Sequence, residues 1–403
     1  MGIGTAKRCA GIVARPGSAT RIAGVLLACA ALAAVPLRAE EPDPAQTRRI
    51  MGEVFDALRE LLPASLDAER FADAELQPKI RTALGTLARH AGQLSAHGAG
   101  SGESFGFLSR TLARDVNEIE RRYTAGRLEE ARFLLHEVIE DCVACHARLP
   151  DPQDAALSAR FMDEAEIAAL PLDERARLAM ATRQFERALA AQEAMLTSPS
   201  YDAGSLDLLG ELDDYLEVCL RVKRDFERPA RALETFAARE DVRPNLREVL
   251  EVWIADLRAL GARAPIEGLE AARALVREAE AKAAGRETRA LHVRYHTAGG
   301  TLHRFLASLP AEDPRAAEVY YWLGIVESRV GRSFWLSEAE PYWEAAIRLA
   351  PADPIARQAY ARLEDFVVAG YTGSSGEHVP PDVQAWLAEL SRLILTASGE
   401  DSG

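Results

Sequence analysis

The chain has 403 residues, 48% of them hydrophobic and 27% charged, which is material for two or three domains with substantial cores. With 48 Lys and Arg against 62 Asp and Glu, the net charge of −14 argues against nucleic acid and against anionic membrane as partners. The same excess suits a partner with a basic docking surface, although a solvated acidic exterior is the commoner cause.

Residues 1–39 read as an export signal. Lys7, Arg8, Arg15 and Arg21 precede an apolar run from Ile22 to Leu37, and Leu37-Arg38-Ala39 then gives way to Glu40 and Glu41. The run is about 16 residues long, short of the roughly 20 that a spanning helix needs. Cleavage after Ala39 is therefore expected, leaving no membrane span and a periplasmic, bacterial location. Lipoprotein processing at Cys29 is the competing reading, disfavoured because the residues after it stay apolar. Removing the segment takes away five basic residues and no acidic one, so the mature chain carries −19 and three cysteines, Cys142, Cys145 and Cys219.

From Thr47 to Pro150 the apolar spacing predicts four helices. Ile50, Met51, Val54, Phe55, Leu58, Leu61 and Leu62 stripe the first. The second runs from about Leu76 to Ser95 and stops at the glycine-rich stretch 98–102. The third spans about Ser104 to Tyr123, and Ala125-Gly126 turns the chain into the fourth, whose inward face is Leu128, Ala131, Leu134, Leu135, Val138, Ile139 and Cys142. Four amphipathic helices joined in this way predict an antiparallel four-helix bundle over residues 45–150.

The fourth helix ends on Cys142-Val143-Ala144-Cys145-His146. Two thiols three residues apart followed by an imidazole form the attachment signature of c-type haem, with the sulfurs bonded to the two vinyl groups and the histidine on the iron. At about 100° per residue, His146 falls roughly 40° from Cys142 and Cys145 roughly 60° to the other side, so one stripe presents all three. A thioredoxin-type pair would follow a strand, and half a zinc site would need a second ligand pair; neither is evident. One covalent haem c is thus expected on Cys142 and Cys145, with His146 as the proximal iron ligand. Cys219, among apolar and acidic neighbours, reads as a buried inert thiol.

Taken together, the helix count, the pentapeptide and its place on the last helix resemble the class II c-type cytochromes, cytochrome c-prime and its low-spin, methionine-ligated relatives. The resemblance covers about residues 45–150. It implies a first helix lying over the distal haem face and, in Arg48-Arg49-Ile50-Met51-Gly52, a distal thioether ligand at Met51. Core packing is the alternative role for that side chain. Relatives of this kind commonly carry an aromatic and then a basic residue three and four places after the ligand histidine; here Leu149 and Pro150 stand there, with Arg148 the nearest cation. That departure favours electron transfer over proximal-side gas chemistry. His90, His97 and His136 read as polar-face or locally satisfied residues.

Past Leu149-Pro150-Asp151-Pro152, residues 151–403 read as helical to the end, with breaks that suggest stacked helix pairs. Single helices are expected over about Asp173–Leu196, Ala203–Lys223, Arg228–Ala238, Leu246–Leu260, Ile266–Ala284, Glu287–Leu309, Arg315–Val330, Ser337–Leu349, Ile355–Ala369 and Asp382–Ala397. Leu309-Pro310-Ala311-Glu312-Asp313-Pro314 recurs as Leu349-Ala350-Pro351-Ala352-Asp353-Pro354, 40 residues on. Tyr320, Leu323 and Gly324, then Ala339, Trp343, Ala346 and Pro351, resemble the two halves of a tetratricopeptide repeat; Phe185, Ala188 and Met195 form a weaker example. His292, His296 and His303 could carry a metal, but packed or solvated histidines are the simpler reading, and Gly299-Gly300 is expected to break the helix before His303. The glycine-rich stretch 370–376 reads as a loop without a phosphate-binding ending.

The fold class expected is all-α, a haem-bearing four-helix bundle followed by a tetratricopeptide-like solenoid. The expected function is that of an exported monohaem carrier of single electrons and not an enzyme, docked to a redox partner protein by the repeat half. A five-coordinate haem binding nitric oxide or carbon monoxide is the first alternative, and an envelope scaffold with a structural haem is the second. The oligomeric state is open, since the resemblance also allows a homodimer.

Overall fold

The computed structural model describes residues 44–65, 68–98, 103–148, 168 and 170–399, apart from 207, 209, 264, 284–287, 311, 332–337 and 375. The expected signal segment with Cys29, and the Leu149–Pro152 break, lie outside the described residues. Pro42–Gly403 belongs to one compact unit. It is all-helical: sixteen α-helices are described, and the only strands among the described residues are Thr372–Gly373 and Gly376–Glu377, an antiparallel pair inside the stretch expected to be loop.

Five helices build the first part: α1 (Pro44–Ser65), the short α2 (Ala68–Ala72), α3 (Gln77–Gly98), α4 (Glu103–Thr124) and α5 (Leu128–Arg148). Their stripes recur every three or four residues and meet in one core that includes Val54, Leu61, Leu84, Leu87, Val116, Ile119, Leu135 and Val138. Each long helix packs along the next, α1 on α3, α3 on α4 and α4 on α5, while α1 and α5 touch only sparingly. The α4–α5 reversal is tight because Gly126 takes φ +78°, which lets the Arg127 amide reach back to the Arg122 carbonyl at 2.9 Å.

The second part comprises α6 (Leu172–Ala181), α7 (Phe185–Thr197), α8 (Glu211–Glu217), α9 (Glu227–Ala237), α10 (Pro244–Gly261), α11 (Gly268–Ala283), α12 (His292–Ser308), α13 (Arg315–Val330), α14 (Ala339–Leu349), α15 (Pro354–Gly370) and α16 (Pro381–Ser398). Here α6 packs on α7, α9 on α10, α11 on α12, and α12 to α16 each on the next, over a larger core holding Phe236, Leu250, Trp253, Tyr295 and Tyr342. At Gly324 an added Cβ would run into the Trp343 indole, so α13 and α14 close on each other over a bare backbone.

Four expectations need correction. Asp173–Leu196 is two helices, because Arg183 adopts φ +60° and its hairpin stops α6. Ala203–Lys223 is a 3₁₀ turn, then α8 running directly into a π-turn over Val218–Lys223. The region expected as Glu287–Leu309 starts with a 3₁₀ turn, Thr288–Leu291, before α12. Nor do Gly299 and Gly300 break α12: both are buried within it, and a Cβ on Gly300 would lie 3.1 Å from the Arg221 Cα. The glycines are there for close approach to the π-turn.

The two cores interlock at α5 and α6. Val143 of α5 belongs to the second core, and Leu178 of α6 belongs to the first.

Candidate functional site

The last two turns of α5 lie where the cores meet. Cys142 is 8% exposed and packs in the first core, continuing the stripe of Ala131, Leu135 and Val138; Cys145 continues that stripe and is half-buried. Neither sulfur is in a disulfide. Val143, between them, faces the other way, so the pentapeptide is gripped from both sides.

His146 is held from outside its own helix. Its Nδ1 lies 2.7 Å from the Ala181 carbonyl at the end of α6. A carbonyl can only accept, so Nδ1 carries the proton and donates, and Nε2 keeps its lone pair. Burial lowers the imidazole pKa to about 4, helped by the Arg183 charge and opposed by the Ala181 bond. The ring is neutral at neutral pH, as an iron ligand must be. A backbone carbonyl on the far nitrogen is the usual device that fixes the tautomer of a metal-bound histidine.

Met51 is half-buried on α1, beside the first core together with Phe55. The Ser65 carbonyl accepts from Arg132 (3.3 Å) and His136 (3.2 Å), which sets the register of antiparallel α1 and α5. At 1.5 Å per residue, Met51 lies about 21 Å from Ser65 along α1, and His146 lies roughly 15–21 Å along α5 in the same direction. The two side chains are therefore at one end of the helices, about a turn apart in height. His90 bonds Gln93 at 3.0 Å and His97 bonds Thr47 at 2.8 Å, both at that end and both half-buried. Cys219 is fully buried, and burial pushes its thiol pKa up.

A second constellation was only half-legible in the sequence. His292 and His296, one turn apart on α12, both point at a residue from α8: His292 Nδ1 donates to Asp213 Oδ1 at 2.7 Å and His296 Nε2 to the same oxygen at 2.8 Å. Arg221, from the π-turn, donates through Nε to His296 Nδ1 at 3.0 Å and places Nη2 3.0 Å from Glu327 Oε1 on α13. All five side chains are 6% exposed or less. Burial would raise the Asp213 pKa, but the two imidazoles overcome it and hold the carboxyl well below the usual range. Beyond lies His303, with Glu327 and Glu338, whose carboxylate accepts from Tyr342 at 2.7 Å.

Two trios here, Asp213–His292–His296 and His303–Glu327–Glu338, have ligand-type atoms within 4.8 Å of one another, close enough to share a metal ion. In the first, metal on His296 Nε2 would move the ring proton to Nδ1, straight against the Arg221 N–H. As arranged, Arg221–His296–Asp213–His292 is a continuous hydrogen-bond chain in which both His296 nitrogens are already engaged, while His292 Nε2 has no hydrogen-bond partner among the described residues. The acidic and basic partners, Asp213, Arg221, Glu327 and Glu338, were missed in the sequence because they come from elements far apart along the chain; the i, i+4 histidine pair was the only local signal.

No family model, curated protein or solved structure matches this chain. The chemistry of its own residues is the basis for a functional reading.

Proposed function

We propose that the chain is an exported c-type cytochrome carrying one covalent haem and moving single electrons, with residues 45–150 as a class II-like four-helix haem bundle and residues 151–403 as a tetratricopeptide-like partner-docking half. One observation supports this most: in Cys142-Val143-Ala144-Cys145-His146 the ligand-type histidine already has its Nδ1 proton committed to the Ala181 carbonyl, leaving Nε2 as the donor. Cys142 and Cys145 would hold the macrocycle, His146 would ligate the iron, and Met51 is the candidate for the opposite side. When bound, the haem supplies a reversible one-electron couple.

The rest falls to the chain. The first core excludes water behind Cys142, and the Ala181 carbonyl fixes the His146 ring. The acidic surface, −14 for the full chain, favours a redox partner with a basic docking surface and a rate of association that falls with ionic strength.

Expression with a haem-maturation system tests the reading. A covalent haem adduct, lost when Cys142 and Cys145 are both changed to Ser, is the expected result; colourless protein with free thiols would sink it. A low-spin reduced spectrum that turns high-spin and carbon monoxide-binding in Met51→Ala identifies the distal ligand. A wild-type protein already high-spin favours the gas-binding alternative.

A further inference from the structure

Between the π-turn, the end of α10 and the middle of α12 lies a cavity of about 450 Å³, within the size range of small-molecule sites. Leu220, Phe226, Leu260 and Ile266 give it apolar surface, and Lys223, Arg224, Arg263 and Arg304 place four cations on its wall. Such a concentration of positive charge stands out in a chain with a net charge of −14.

The cations are not equally neutralised. Lys223 pairs with Glu186 at 2.9 Å, Arg224 with Glu267 at 3.2 Å, and Arg263 with Glu278 at 3.7 Å. Arg304, half-buried, has no carboxylate within ion-pair distance among the described residues. Its guanidinium bonds only neutral oxygens, the Thr301 hydroxyl at 3.2 Å and the Arg221 carbonyl at 3.5 Å. Burial and the facing Arg224 lower its pKa, and the charge of Glu267, which pairs with Arg224, raises it in part; a guanidinium does not give up its proton in a protein. A charge with no ion pair of its own among the described residues, sharing Glu267 at longer range with Arg224, is thus held in a partly desolvated place.

Two backbone features support this arrangement. Arg224 follows the π-turn at φ +58°, ψ +33°, a conformation non-glycine residues rarely adopt. π-turns and such outliers cluster at binding sites. Gly261 leaves room for Phe226, whose Cβ would lie 3.0 Å from an added methyl.

We propose that this cavity binds a small organic anion, a carboxylate on a compact apolar body, with Arg304 as its main counter-charge and Arg224 as the second. Thr297 and Thr301 give their hydroxyl protons to backbone carbonyls, so donors to the anion come from the guanidiniums. Inorganic phosphate would leave Leu220, Phe226, Leu260 and Ile266 without a partner, and so the apolar body belongs to the ligand.

Calorimetric titration of the full chain with benzoate is the test, with benzamide and inorganic phosphate as comparisons. One benzoate site is expected, weakened at least about tenfold by Arg304→Gln, which removes the charge while keeping a polar side chain. Arg224→Ala should weaken it severalfold, and neutral benzamide should bind at least about tenfold more weakly than benzoate. Absence of binding at millimolar benzoate in folded protein, unchanged affinity in Arg304→Gln, or tighter binding of phosphate than of benzoate would each overturn the proposal. None of these variants touches Cys142, Cys145 or His146, so the outcome is independent of the haem reading.

Discussion

Arg221 is 6% exposed and lies between His296 and Glu327, so it bonds an imidazole and neutralises a carboxylate in the same dry interior. Removing one member of a buried pair strands the other charge, which costs about 3–5 kcal/mol. Arg221→Ala should show that loss in urea unfolding, whereas exposed pairs such as Arg231–Glu227 should each contribute under about 1 kcal/mol. His296 gives the network a pH dependence. Burial holds its pKa below the ordinary value of 6.5, and the Arg221 N–H already occupies the nitrogen a proton would take. As pH falls below 6.5, the unfolded chain binds a proton there that the folded chain refuses, so stability declines until the folded pKa is reached. The urea midpoint should therefore fall between pH 7 and pH 5, and His296→Gln should flatten that slope. At this scale the pentapeptide was fully legible because its three residues are neighbours in sequence. The Ala181 carbonyl that orients His146 was not, since any residue has a carbonyl and only the fold brings this one to the ring.

Helices were legible wherever a stripe ran for several turns: the four long helices of the first part, and α9 to α11 and α13 to α16 of the second, fall within a few residues of their expected positions. Where the expectation failed, backbone geometry had been set by neighbours. Ala181-Thr182-Arg183-Gln184 contains no glycine or proline, yet the chain turns there with Arg183 left-handed. The converse holds at Gly299-Gly300, which carry a breaker's composition inside an intact helix because α12 must lie against the π-turn. Gly300→Ala should cost about 1–3 kcal/mol, since its methyl would meet Arg221 backbone and not a movable side-chain tip. Gly52, with open space around it, supplies the control: Ala there should stabilise or leave stability unchanged in the same denaturant series.

Across the whole molecule, two cores share one pair of helices. Because Val143 reaches one way and Leu178 the other, the parts are expected to melt together in a single calorimetric transition, and Leu178→Ala should destabilise both by about 2–5 kcal/mol. Two separated transitions would show that the contact is too weak to couple them. No helix among the described residues is long and apolar enough to cross a membrane, so the apolar stripes are accounted for by packing against other helices.

The exchange of Val143 for Leu178 also constrains how the protein can be dissected or recombined. A cut at the proline-rich connection would leave each piece with an oily plug missing from its wall and another protruding into water. Neither piece is then a portable module: a graft of the second part onto another carrier must bring the closing turns of α5 along, and with them the two sulfurs and the imidazole.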